Sequence, residues 1–337
     1  MADRKILFWG ICLVATLAAA PFFFAHFTGG FSAYAQALSR ISAAHWAVIL
    51  MSTVAFYLLD YLRFYSLLAI FDFKLPITVA LKLTCVSYFV SSLTPSAELH
   101  LPAMVFLLVR EGVAVGTATA VTITKSIYMT LWICAIALVS LELRGDVHVP
   151  EHLARHLPLY LLPMASLVAF LGLVVLFPRQ IHAWAERRLT FVVKPVWQGK
   201  IIQGVDHAAQ ALSKIASSTH YMHLVCHAGS IAFVLMYGWI GYVICHGLGL
   251  AVPLGKAITV FSNGLMVAYL SPVPGSVGIT EVMTNYLLDP ALTNLGMAAV
   301  LTQRILCWYI VIVPGSLLLV SSLRGMSLRK ALLGEKS

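Results

Sequence analysis

PLGKAITVFSNGLMVAYLSPVPGSVGITE, residues 253–281, decides the fold, because PITVALKLTCVSYFVSSLTPSAE, residues 76–98, repeats its plan. Nineteen positions separate the leading proline from the turn proline in both, Pro253 to Pro272 and Pro76 to Pro95, so one offset of 177 relates them. The stretch between is apolar, and each turn ends on a lone carboxylate, Glu281 or Glu98. Seventeen apolar residues (77–93 and 255–271) make a helix of about 25 Å, short of a hydrocarbon core of about 30 Å. The partners at 98–110 and 280–289 are shorter still, and the turns are too brief to leave a membrane and return. The spacing therefore predicts two re-entrant hairpins, each a pair of partial helices whose tip is held inside protein, where broken backbone at depth is tolerated.

The rest of the chain is built for a bilayer. Apolar residues make up 60% of 337 and charged residues 10%, with mean hydropathy +0.90, whereas soluble domains are about a quarter charged. Weakly charged runs lie at 6–25, 45–71, 115–141, 157–177, 221–247 and 297–323, each long enough to cross once at roughly 20 residues per span. The first run is longer than a signal-peptide core and lacks a small-x-small cleavage site, so it is expected to remain as a span. Cys12, Cys85, Cys134, Cys226, Cys245 and Cys307 all fall in apolar segments without CxxC spacing. They read as small buried residues, not as disulfides or metal ligands. The formal charge of +9 is concentrated in particular loops, which argues for membrane orientation and against nucleic acid.

Helix, hairpin, helix is the unit, and it occurs twice: repeat A over 45–141 and repeat B over 221–323. Around them lie an N-terminal helix and loop (1–44), a linking helix with a basic segment (142–220) and a basic tail (324–337). Two further landmarks keep the same order. FDFKLP (71–76) matches LGLAVP (248–253), again at offset 177, and AVTITKSI (120–127) matches AVLTQRIL (299–306) at offset 179, each with one cation, Lys125 or Arg304. The linking helix adds a crossing and so inverts repeat B relative to repeat A. With the N-terminus cytoplasmic, Arg4, Lys5, six cations of loop 178–219 and four of the tail face the cytoplasm, against Arg40, Arg144, Arg155 and Lys256 outside. That is the bias of the positive-inside rule. The expected class is an all-α polytopic membrane protein of inverted repeats, with about six full spans and two re-entrant hairpins, an architecture of transporters. A single membrane domain in the cytoplasmic (inner) membrane, both termini cytoplasmic, follows.

The turn at 271–281 carries the chemistry. Pro272, Pro274, Gly275, Ser276 and Gly278 expose backbone N–H groups ahead of a short helix, with Thr280 expected as its N-cap. Such a loop and helix start favour an anionic group such as a phosphate. The turn of repeat A, Thr94-Pro95-Ser96-Ala97-Glu98, lacks the glycines, so the anion cradle is better developed in repeat B. Two roles are open to Glu98 and Glu281: pairing with Lys125 and Arg304 at rest, or carrying a coupled proton. An internal pair that merely pins each hairpin is the structural alternative, but ionisable residues inside a membrane are functional candidates by default.

Other polar residues read more plainly. Lys82 either snorkels to headgroups or guides them. Asp60 and Arg63 pair locally at i, i+3; their repeat counterparts are Tyr237 and Ile240, so they fall outside the symmetric core. Tyr57, Tyr61 and Tyr65 form a packing stripe. His152/His156 and His223/His227 share helical faces but lack an HExxH glutamate or a cysteine cluster, so no metal site is expected. The segment 179–219, with Trp184 and Trp197 among its cations, reads as an interfacial stretch on anionic lipid.

SPVPGSVGITE (271–281) and SSLTPSAELHLPAMVFLLVREGV (91–113) resemble the lysylphosphatidylglycerol synthase transmembrane family, also described as flippase-like. The resemblance spans roughly 45–323. It departs from the family pattern in the shortened first turn and in Ser276, where a glycine is common. It implies a membrane protein that translocates lipids or sits beside lipid-modifying enzymes; the aminoacyltransferase domain of the best-known relatives is not in this sequence. The expected function is a lipid translocase, without cofactor or catalytic motif, passing a polar, phosphate-containing headgroup through a midplane cavity. The candidate substrates are an anionic phospholipid, a polyprenyl-phosphate lipid or a hopanoid-type lipid. A lipid-biosynthetic enzyme and a second copy of the chain are the candidate protein partners. The alternatives are a membrane-embedded transferase or its accessory subunit, and an ion-coupled small-anion transporter.

Overall fold

Apolar composition and helix-compatible spacing yield helices throughout. The computed structural model describes residues 30–94, 100–142, 206–215, 217–218, 221–271, 273–288 and 294–323, with a few single positions between 166 and 183. Pro95, Ser96, Glu98 and Pro272, and the expected spans at 6–25 and 157–177, lie outside these residues, apart from those single positions. The helices are α1 (Gly30–Leu38), α2 (Ala43–Ala69), α3 (Ile77–Leu93), α4 (Leu101–Arg110), α5 (Val115–Glu142), α6 (Met222–Gly247), α7 (Leu254–Leu270), α8 (Ile279–Leu288), α9 (Asn294–Cys307) and α10 (Ile312–Leu323). No strand occurs among the described residues. Among the described residues, four stretches are long and apolar enough to cross a membrane: Ala43–Ala69, Val115–Ser140, Met222–Gly247 and Asn294–Ser322.

The two halves agree in length and in local geometry. α3 and α7 are both 17 residues, and α4 and α8 are both 10. Pro76 and Pro253 sit immediately before α3 and α7 with nearly the same backbone, φ −62°, ψ 142° and φ −61°, ψ 144°. Their rings fix φ at a value that suits a helix start.

Packing is reciprocal. α2 lies along α6, while α3 packs on α10 and α7 on α5, so each hairpin's first arm rests on the last helix of the other half. Glycine permits the closest approaches. A Cβ at Gly315 in α10 would overlap the Cys85 carbonyl of α3, and one at Gly264 in α7 would overlap the Thr284 side chain of α8. Small residues at helix contacts are how membrane helices gain dispersion energy where no hydrophobic drive remains.

The last span departs from the continuous helix expected at 297–323. It breaks at Trp308 (φ −136°, ψ −60°), continues as a 3₁₀ turn over Tyr309–Val311 and resumes as α10. Pro314 supplies the reason: it has no N–H for the carbonyl of Ile310, and its ring crowds that carbonyl.

Candidate functional site

Among the described residues two buried charge clusters form, one around Glu281 and Arg304 and one around Asp60, Arg63 and Lys125. In the second half Glu281 and Arg304 are 0% and 1% exposed. Glu281 Oε1 accepts hydrogen bonds from Arg304 Nε at 3.1 Å and from the Tyr309 hydroxyl at 2.8 Å. Its Oε2 accepts from the Gly278 N–H at 2.8 Å. Arg304 Nη2 donates to the Gly275 carbonyl at 2.8 Å, and its guanidinium lies over the Trp308 and Tyr309 rings. The pairing expected of Glu281 and Arg304 is thus formed, with the 275–278 loop wired into it.

The loop geometry explains its glycines. Gly275 (φ 61°) and Gly278 (φ 88°) are left-handed, where a side chain is strained and glycine is not. Ser276 adopts the same region at φ 51°, at the position where the resembling family commonly has glycine. The N-cap expected at Thr280 is not one: Thr280 lies inside α8, which begins at Ile279. Glu281 performs the capping instead, because a glutamate at the third helical position reaches back to the N–H three residues earlier.

In the first half Lys125 pairs with Asp60, while Glu98, the partner expected for it, lies outside the described residues. The Lys125 Nζ is 2.8 Å from Asp60 Oδ1, which also accepts from Arg63 Nη1 at 3.0 Å. Thr84 donates to Asp60 Oδ2 at 3.1 Å. Arg63 is held further by Ser230 through Nε at 3.1 Å and by the Lys125 carbonyl through Nη2 at 3.2 Å. Asp60 and Arg63 do pair locally, but they are also part of the Lys125 cluster and do not stand apart from it. The signal was available: a carboxylate in the middle of an apolar helix needs every partner it can reach. Lys82 pairs with Glu111, at the C-terminal end of α4, at 3.3 Å. His223 and His227 engage the Tyr128 hydroxyl and the Trp132 indole.

Trp308 and Tyr309 carry no charge and were not singled out by spacing. Trp308 donates to the Ser92 hydroxyl at 2.8 Å, meets Tyr88 edge-on at 4.9 Å and covers Arg304. It also lines a cavity of about 40 Å³ that reaches Asp60, Arg63, Lys125 and His100. The indole therefore stands between the two clusters.

Residues 8–315 match the family described as the lysylphosphatidylglycerol synthase TM region. No curated protein and no solved structure matches the chain.

Proposed function

This chain belongs to the lysylphosphatidylglycerol synthase TM family, and we propose from that premise that it is a lipid translocase. It moves a polar, phosphate-containing headgroup through the protein while the tails remain in lipid. Unpaired polarity around Glu281 carries this reading. Arg304 Nη1, Thr280 Oγ1, Thr284 Oγ1 and Asn285 Oδ1 are buried and have no hydrogen-bond partner among the described residues. Each orphaned group costs about 1–3 kcal/mol, so four of them on α8 and the arginine facing it call for an occupant with hydrogen bonds to share. Water fills that role at rest, and a headgroup fills it in passage. Arg304 attracts the phosphate, and the 272–278 loop, with Pro272, Pro274, Gly275, Ser276 and Gly278, cradles it. Glu281 neutralises the arginine between cycles. Glu98, Pro95 and Ser96 with Lys125 form the gate of the other half.

Equal helix lengths, matching proline geometry and reciprocal packing support two inverted repeats with re-entrant hairpins. The loop cations favour an inner-membrane protein with both termini in the cytoplasm.

Arg304→Ala alone is a poor test, because it strands a buried carboxylate. The charge-neutral double variant Glu281→Gln/Arg304→Gln avoids that. Reconstituted with fluorescent phosphatidylglycerol, wild-type protein is expected to expose the inner-leaflet label to dithionite well above empty liposomes. The double variant, folded by its unchanged gel-filtration profile, is expected to fall to that background. Wild-type rates in the folded double variant would sink the reading.

A further inference from the structure

A short helix ahead of the first span in each half serves the other half. AQALSRI at 35–41 returns as AQALSKI at 209–215, with six of the seven residues identical and a cation at the sixth place in both. The offset is 174, three short of the 177 at the prolines, because 38 positions separate Ile215 from Pro253 and 35 separate Ile41 from Pro76. The first copy closes α1 and the turn after it, and the second lies in a further helix at 206–215. Exposure repeats with the sequence. Ala37 and Ile41 are buried, as are Ala211 and Ile215, while Gln36, Ser39 and Arg40 are exposed, as are Gln210, Ser213 and Lys214.

Both apolar faces are spent on protein, and on the opposite half. The Tyr34 hydroxyl donates to Thr302 Oγ1 of α9 at 3.0 Å, since the Thr302 proton goes to the Ala298 carbonyl. Ile41 lies against Gly247, the last residue of α6, where a Cβ would meet its Cγ2 at 3.2 Å. At the other copy, the His207 backbone sits so close to Gly116, near the start of α5, that a Cβ there would lie 2.5 Å from the His207 carbonyl carbon. Lys214 Nζ stands 4.9 Å from the centre of the Phe71 ring, just past the end of α2. Leu212 and Ile215, 2% and 1% exposed, share a core cluster with Phe64, Leu75 and Val113 of the first half. Each helix therefore bridges the first and last spans of the half it does not belong to. Those spans flank that half's hairpin, α2 and α5 around α3 and α4, and α6 and α9 around α7 and α8. A helix that only lies on a membrane keeps its apolar face for lipid; 206–215 of the basic segment gives that face to protein.

We propose that these two helices are crossed clasps, each half fastening the hairpin mouth of the other, so that a mouth opens only when the opposite half lets go. A few small apolar residues and one close backbone approach make a unit that can open well below the cost of global unfolding. Crossing the clasps couples the mouths, which suits a carrier whose two sides must not open together. That role rests on the translocation reading and its hairpins; the fastening does not.

Amide hydrogen exchange on the purified full chain in detergent tests the fastening. Ile215→Ser is expected to speed exchange at 71–78 by about tenfold and to leave 248–255 as in wild type. Ile41→Ser is expected to do the opposite. Where a variant fails to fold, Gly116→Ala replaces Ile215→Ser by lifting that helix from its seat, and Tyr34→Phe replaces Ile41→Ser by removing the bond to Thr302, with the same crossed pattern expected. Faster exchange at 248–255 when the 206–215 helix is loosened, at 71–78 when α1 is loosened, or at neither segment overturns the clasps. The dithionite assay tests their role. Phe71→Cys/Lys214→Cys, in a chain whose native cysteines are alanine, is joined by a short linker that a reductant cleaves. Flipping is expected to fall to the empty-liposome rate when joined and to return on reduction. Flipping untouched by the linker overturns the role of the clasp and leaves translocation standing. The crossed exchange pattern without flipping by wild-type protein overturns translocation and leaves the clasps.

Discussion

At the scale of single residues, Glu281 and Arg304 are held by one another more than by anything else. Both are essentially unexposed, and the carboxylate collects three donors, from Arg304, Tyr309 and Gly278. Removing one partner of a buried pair leaves the other charge uncompensated, at about 3–5 kcal/mol, whereas removing both together costs far less. Glu281→Gln and Arg304→Gln are each expected to lose stability on that scale, and the double variant to lose much less than their sum. Denaturant titration of the three variants in detergent measures the coupling; additive losses would mean that the two residues do not act as a pair. Both residues were legible in the sequence because a charge inside an apolar run stands out on its own. Tyr309 and Trp308 were not, since an aromatic residue in such a run looks like any other. Lys125 was legible as a charge, but its contact with Asp60 was not, because Asp60 lies three helices earlier, on α2, and no spacing links them.

At the scale of elements, hairpin arms and long helices follow the apolar runs and the prolines closely. Expected arms at 77–93 and 255–271 appear as Ile77–Leu93 and Leu254–Leu270. The break at Trp308 was not anticipated, although Pro314, four residues beyond Ile310, marks it. This break places Tyr309 against Glu281 and Trp308 against Ser92, so the interrupted span touches both hairpins at once. On its far side Gly315 seats α10 against the backbone of α3. Gly315→Ala is expected to force those helices apart and to destabilise by about 1–3 kcal/mol, the usual cost of overpacking. Thermal unfolding of the purified variant checks this. An unchanged midpoint would show that the contact yields freely.

At the scale of the whole molecule, the halves meet through α2 on α6 and through the exchange of hairpin arms. That pattern was legible only as an internal echo. Which helix packs on which depends on shape, and shape is not written in spacing. The short arms have a consequence for the lipid around them. A 17-residue helix is about 25 Å long and a 10-residue one about 15 Å, whereas the surrounding hydrocarbon is about 30 Å thick. A bilayer meeting apolar surface shorter than itself can thin locally, and re-entrant hairpins placed as proposed would draw the two leaflets together beside them. Under the translocation proposed above, acyl-chain length then becomes a control on transport. Flipping above the empty-liposome rate is expected to rise in 14-carbon lipids and fall in 22-carbon lipids, and a rate indifferent to chain length would rule out the thinning. On that reading the protein is a local dent in the membrane, made by helices too short to match it.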